Sequence, residues 1–160
     1  MSGRITFSAK LEGGAKVEQR FIKISNVIDD ARPLFKRLGN EIIFPEIKSV
    51  FRSEGKPKWS PLAASTMARK PAGKILVRTG KLKKSLITNT SPNSIWRLSQ
   101  HRLEVGSKLK TSSGKFYLGS LNQEGTKKMP ARELYSKSTI KKIYQGLLKI
   151  GLDIVGKAMK

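Results

Sequence analysis

Residues 94–107 read SIWRLSQHRLEVGS. Residues 94–98 and 103–107 are two short runs with apolar residues between polar ones, set around the polar turn Ser99, Gln100, His101 and Arg102, which is the pattern of a β-hairpin. The segments on either side are mostly helical in spacing, so this hairpin decides the fold class: it predicts α+β, with N-terminal helices, a small and mainly antiparallel sheet, and a closing helix.

Immediately upstream, residues 75–87 read ILVRTGKLKKSLI. The Ile75, Leu76, Val77 patch is followed by a Thr79-Gly80 break and by Leu82 to Ile87 spaced for a short helix running into a strand, with Thr79 as the expected cap. Gly80 relieves the backbone at the break. Before that, residues 55–70 read GKPKWSPLAASTMARK, part of an irregular basic segment (55–73) bounded by Pro57, Pro61, Pro71 and Gly73, with room for one helical turn over 65–70.

Nearer the start, Ile5, Phe7, Ala9 and Leu11 alternate with polar residues, the period of a half-buried strand that would join the sheet. Val17, Phe21, Ile24, Val27 and Ile28 then fall on one helical face. Pro33, behind Asp29 and Asp30, starts a second helical run through Leu34, Leu38, Ile42, Ile47 and Phe51 to Gly55. Pro45 predicts a kink or a break there, and two pieces joined near 39–45 or one bent rod both satisfy the spacing.

Downstream of the hairpin, residues 108–115 (KLKTSSGK) read as a flexible basic loop, 116–121 as short and apolar, and 122–129 as turn-rich, with Gly125 closing a turn. The last helix follows Pro130, capped by Ser136 or Ser138, with Ile140, Ile143, Tyr144, Leu147, Gly151, Ile154, Val155 and Ala158 on one stripe and a notch at Gly146 and Gly151. A length of 160 residues, with 38% hydrophobic content, predicts a single domain over 1–160.

The 33 Lys and Arg against 11 Asp and Glu give a formal net charge of +22. Such a surface attracts polyanions or acidic proteins and repels its own copies. No apolar run approaches the roughly 20 residues of a membrane span and the N-terminus has no signal-peptide core, so the chain reads as soluble and made in the cytoplasm.

With no cysteine and His101 as the one histidine, thiolate chemistry and a histidine metal cage are excluded, and His101 reads as an exposed turn residue. Residues 55–103 contain no Asp or Glu, so general acid-base chemistry has no groups to use there. Glu18, Glu41 and Glu46 read as solvated helix faces, and Glu124 and Asp153 as isolated acids. The chain is therefore expected to be no enzyme, with no cofactor and no metal.

The motifs fall in a fixed order. Trp59-x-Pro61-Leu62-x-x-Ser65-Thr66 precedes Ile75-Leu76-x-x-Thr79-Gly80-x-Leu82-x-x-Ser85-Leu86; Val105-Gly106-Ser107, Tyr117, Asn122-Gln123-Glu124-Gly125 and Pro130-Ala131-Arg132 follow. From about Phe51 to Tyr135 this series resembles the virion morphogenesis, or tail-completion, family of tailed bacteriophages. Two positions depart from it: Leu118 follows Tyr117 where similar proteins carry alanine, and Asn122 stands where they carry a histidine.

The resemblance implies a non-enzymatic virion protein that completes the tail or forms the neck and enables head-tail joining. Its expected partners are other tail, neck or connector proteins, its own copies in a ring, sixfold by default, and DNA in the lumen; no membrane is involved. The alternative is a free-standing basic nucleic-acid-binding protein. Candidate interface or DNA-facing residues are Trp59, Arg69, Lys70, Lys74, Arg78, Lys81, Lys83, Lys84, Lys108, Lys110, Lys115 and Arg132. Trp59 is expected either in the domain's own core or as an interface anchor, and Arg132 either as a clamp on a carboxylate or carbonyl or in solvent.

Overall fold

The second helical run resolves how a proline is carried inside an apolar helix. Helix α2 (Arg32–Arg37) passes through a π-helical turn, Leu38–Ile43, into α3 (Phe44–Ser53), and the residues at both joins keep right-handed helical dihedrals. Pro45 has no N–H to give an α-helical bond, and its ring would crowd the carbonyl four residues back. The wide turn places Pro45 in the first turn of α3, while the Phe44 N–H reaches back five residues to the Gly39 carbonyl. The run is continuous, with an inserted residue absorbing the proline. It ends at Glu54, left-handed at φ 55°, where the Glu54 and Gly55 N–H groups both meet the Val50 carbonyl.

This computed structural model describes residues 14–68, 73–127 and 129–158. The alternating segment 5–11 lies outside them, as do Arg69, Lys70 and Pro71. Helix α1 (Gly14–Asp29) precedes the long run; α4 (Ala64–Ala68) supplies the helical turn expected near 65–70; α5 is Lys81–Ile87. The hairpin pairs β1 (Ser94–Ser99) with β2 (Arg102–Ser107) antiparallel, Trp96 opposite Val105, so the chain is α+β. The Gln100 carbonyl at the hairpin turn accepts from the Ala31 N–H at 2.9 Å, fastening the turn to the start of α2. Helices α6 (Leu118–Glu124) and α7 (Lys137–Ala158) complete the order.

The core lies where α3, α5, α7 and the hairpin meet. Ile47 and Val50 of α3 have no exposed surface and pack with Phe51, Leu82, Leu86, Leu134 and Ile150. Burying a side chain of this size contributes about 1.5–3 kcal/mol, so the face of α3 is the main source of cohesion. Trp96 lies over Gly39 and against Phe44, ring centroids 5.4 Å apart, which joins the hairpin to the π-helical turn. On the far side Ile42 packs onto Gly146, the notch in α7.

Several local expectations need correction. Residues 118–124, read as an apolar piece and a turn, form α6. The 108–115 loop is closed rather than free: Leu118 N–H donates to the Leu109 carbonyl, Thr111 N–H to Phe116, and Lys110 bridges to Tyr117. Helix α5 stops at Thr88, six residues short of β1, and Gly80, not Thr79, is its N-cap; the Thr79 hydroxyl is 3.5 Å from the Lys81 N–H. Gly80 and Gly125 have positive φ, as their roles require. Ser136 does cap α7, accepting from the Thr139 N–H at 3.3 Å. The α7 stripe is rotated: Ile143, Leu147, Ile150 and Ile154 face the core, whereas Ile140 and Tyr144 are exposed.

The acids are more engaged than their spacing suggested. Arg37 of α2 donates to Asp153 of α7 at 2.7 Å and to Glu41 at 2.8 Å, and Asp153 also accepts from Lys157. Glu46, far from solvated, receives Lys56 at 3.2 Å and Lys142 at 3.3 Å. Hydrogen bonds from Arg37 hold the Asp153 and Glu41 carboxyls below their ordinary values of 3.8 and 4.5. A carboxyl depressed in the folded state contributes stability above its unfolded pKa and loses it as pH falls toward the folded one. Thermal unfolding should therefore occur at progressively lower temperature as the pH drops below 4.5, and Asp153→Asn should flatten that slope. The groups are exposed, so the effect should shrink in high salt; a slope unchanged by Asp153→Asn would show that this clasp is not its source.

Candidate functional site

The ordered motifs, scattered along the chain, meet in one place. The irregular segment after α3 turns back at Gly55 so that the Trp59 N–H reaches the Glu54 carbonyl at 2.7 Å. Gly55 has φ +106°, and a Cβ there would sit 2.5 Å from the Trp59 ring and from the Pro57 carbonyl, so the indole closes directly over the glycine backbone. Its edge meets Phe51 in a T-shaped contact at 5.9 Å, and its Nε1 donates to the Glu133 carbonyl at 2.9 Å. That bond ties residue 59 to the motif around Arg132.

Arg132 is 6% exposed and extends to the other side of the same segment. Its Nη2 lies 3.5 Å from the Ser60 carbonyl and 3.4 Å from that of Pro61, its backbone N–H donates to the Asn122 carbonyl at 2.6 Å, and its buried Nε has no partner among the described residues. None of the described carboxylates forms an ion pair with it. Of the alternatives left open by the sequence, Arg132 is thus a clamp on carbonyls and Trp59 belongs to the domain's core, each only 6% exposed.

Gln123 is the connector that its position in the motif did not reveal. Its Oε1 accepts from the Leu134 and Tyr135 N–H groups at 2.8 and 3.0 Å, and its Nε2 donates to the Tyr135 carbonyl at 3.3 Å. One side chain thereby satisfies the backbone of the extended stretch before α7, as a neighbouring strand would. Asn122 donates to the Leu118 carbonyl at 2.6 Å, a bond within α6. Glu54 accepts from the Ile75 N–H at 3.0 Å, bringing the apolar patch of residues 75–77 onto the same junction.

Beside this junction, Leu86, Ile95, Gly106, Ser107, Gln123 and Tyr135 contribute to a cavity of about 340 Å³. Burial pushes the Tyr135 phenol up to about 12, and its hydroxyl has no partner among the described residues. A phenol held so firmly in its neutral form is a poor general base near neutral pH.

A hydrogen bond of 2.7 Å between Ser85 and Ser107 sets α5, which carries Lys81, Lys83 and Lys84, against the end of β2, which Lys108 follows. Arg78, Lys81, Lys84, Lys108, Lys110 and Lys115 are exposed and Lys83 is half-buried. Lys110 rests 5.2 Å from the centre of the Tyr117 ring. Among the described residues, none of these seven forms an ion pair with a carboxylate. Lys74 is exposed and engaged in an interaction of its own. His101 is exposed at the hairpin turn, as its sequence context predicts. Among the described residues no cluster of three or more His, Cys, Asp or Glu could hold a metal ion, and no helix is long and apolar enough to cross a membrane. The chain matches no family model, no curated protein and no solved structure.

Proposed function

We propose that this chain is a non-enzymatic structural protein of a tailed-phage virion, one that completes the tail or forms the neck and makes head-tail joining possible. The observation that carries the reading is the junction. Trp59, Gln123 and Arg132, three members of the ordered motifs, and Asn122, which departs from the pattern, direct polar atoms at backbone groups of the same domain. Motif residues used in this way support a rigid assembly part more than a reaction centre.

In this reading the subunits form a closed ring, sixfold by default, with two different patches of each copy in contact. A net charge of +22 per copy would drive copies apart unless the lysines of α5 and Lys108 face DNA in the lumen or acidic neighbours. The cations without carboxylate partners also favour a second reading, a free-standing protein that binds nucleic acid without sequence preference.

Deleting the gene from its phage genome separates the two. Filled heads and unjoined tails, seen by electron microscopy and restored to infectious particles by the purified protein, are the expected result. Normal infectious particles would overturn the virion reading; if the protein were then retained on DNA with a steep loss in added salt, the second reading would stand.

A further inference from the structure

Helix α7 carries more apolar surface than its packing uses. One side faces the core through Ile143, Leu147, Ile150 and Ile154. On the other, Ile140, Tyr144, Leu148 and Leu152 are 42%, 64%, 67% and 74% exposed. Single exposed leucines are ordinary on a protein surface. These four are spaced by four residues and make one unbroken ridge, about 18 Å long at the rise of an α-helix.

The two neighbouring rows differ from each other. Three positions in the C-terminal direction from each ridge residue run Ile143, Leu147, Gly151 and Val155, all half-buried and apolar. Three positions in the other direction run Lys137, Lys141, Gln145 and Lys149, all exposed. None of these three lysines pairs with a carboxylate among the described residues; the α7 lysines that do are Lys142 and Lys157. The ridge is therefore apolar on one border and cationic on the other.

We infer that this ridge docks an amphipathic helix of another protein, one with an apolar face and a row of Asp or Glu along one flank. Ridges formed by residues four apart are the surfaces that interlock when helices cross. An occupying helix would cover Tyr144, Leu148 and Leu152 and lay its acidic flank over Lys141 and Lys149. A second copy of this chain suits the site poorly, because an antiparallel pair of α7 ridges would bring two lysine rows together and either orientation joins two proteins already at +22. An anionic lipid surface would meet the charge, but it has no use for a border that is apolar on one side only. The inference rests on α7 alone and stands or falls separately from the virion reading.

The test uses the full-length protein and three fluorescently labelled model helices of roughly 18 residues. They share one apolar face and carry Glu, Gln or Lys along one flank. Binding is read by fluorescence anisotropy at moderate salt. The Glu-flanked helix should bind about tenfold more tightly than the Lys-flanked one. Leu148→Glu should abolish binding with the helical circular dichroism unchanged, because the side chain is 67% exposed. Reversing Lys141 and Lys149 to Glu together should invert the preference. Equal binding of all three helices, or binding untouched by Leu148→Glu, would overturn the inference. So would a concentration-dependent dimer in sedimentation, or uptake onto phosphatidylserine vesicles, that Leu148→Glu removes while no helix binds.

Discussion

Trp59→Ala is expected to destabilise the fold by about 3–5 kcal/mol, the range for deleting a buried large aromatic. Three losses coincide at this position. The ring is 94% removed from solvent and packs edge-on to Phe51, so its deletion leaves a cavity beside the face of α3. The Glu133 carbonyl loses the indole N–H, a net cost of about 1 kcal/mol. Gly55 loses the surface that covers its left-handed turn. In a domain whose total stability is about 5–15 kcal/mol, this change removes a third or more of the total over most of that range and brings a chain at its lower end near unfolding at room temperature. Trp59→Phe separates the contributions: it keeps most of the apolar area and gives up the hydrogen bond, so its effect should be clearly smaller. Urea unfolding of the two variants measures the difference, and a Trp59→Ala protein within about 1 kcal/mol of wild type would show that the indole is no anchor.

How much of this was legible in the sequence depended on whether the signal was local. The hairpin could be read from residues 94–107 because alternation and a polar turn are nearest-neighbour properties. The fate of Pro45 could be read only as a choice between kink and break, since a π-helical turn leaves no distinct apolar period. Helix α6 was hidden because its residues, LGSLNQE, carry no apolar stripe; it is held by contacts made elsewhere, Asn122 to the Arg132 N–H and Gln123 to residues 134 and 135. The stripe on α7 was placed about one row out of true. Its apolar residues cover more than half the helix circumference, so periodicity could not say which of them the core would take. The candidate site divides in the same way. Gly80 and Gly125 could be assigned from turn chemistry, whereas the carbonyl clamp of Arg132 needed two segments some seventy residues apart to be seen together.

Gly39→Ala is the second large effect, and its sign runs against local propensity. At a helical position alanine is preferred to glycine by about 1 kcal/mol, so on the helix alone the change should stabilise. A Cβ at Gly39, however, would lie inside the van der Waals shell of the Trp96 ring, which is itself held against Phe44. The ring must move, and with it the contact joining β1 to the π-helical turn. Overpacking of this kind costs about 1–3 kcal/mol, and a rigid aromatic plane at the obstructing position argues for the upper end. Two comparisons make the cause visible. Gly156→Ala, with nothing within 4 Å of its added Cβ, should be neutral or slightly stabilising. Combining Gly39→Ala with Trp96→Leu should cost less than the two single changes added, because the smaller side chain leaves room for the methyl, and the shortfall is the coupling between the residues. If Gly39→Ala alone matches wild type, or the double mutant is simply additive, then the indole is not seated on Gly39, and the junction of hairpin and helix must be held by Phe44 and the Ala31–Gln100 backbone bond instead.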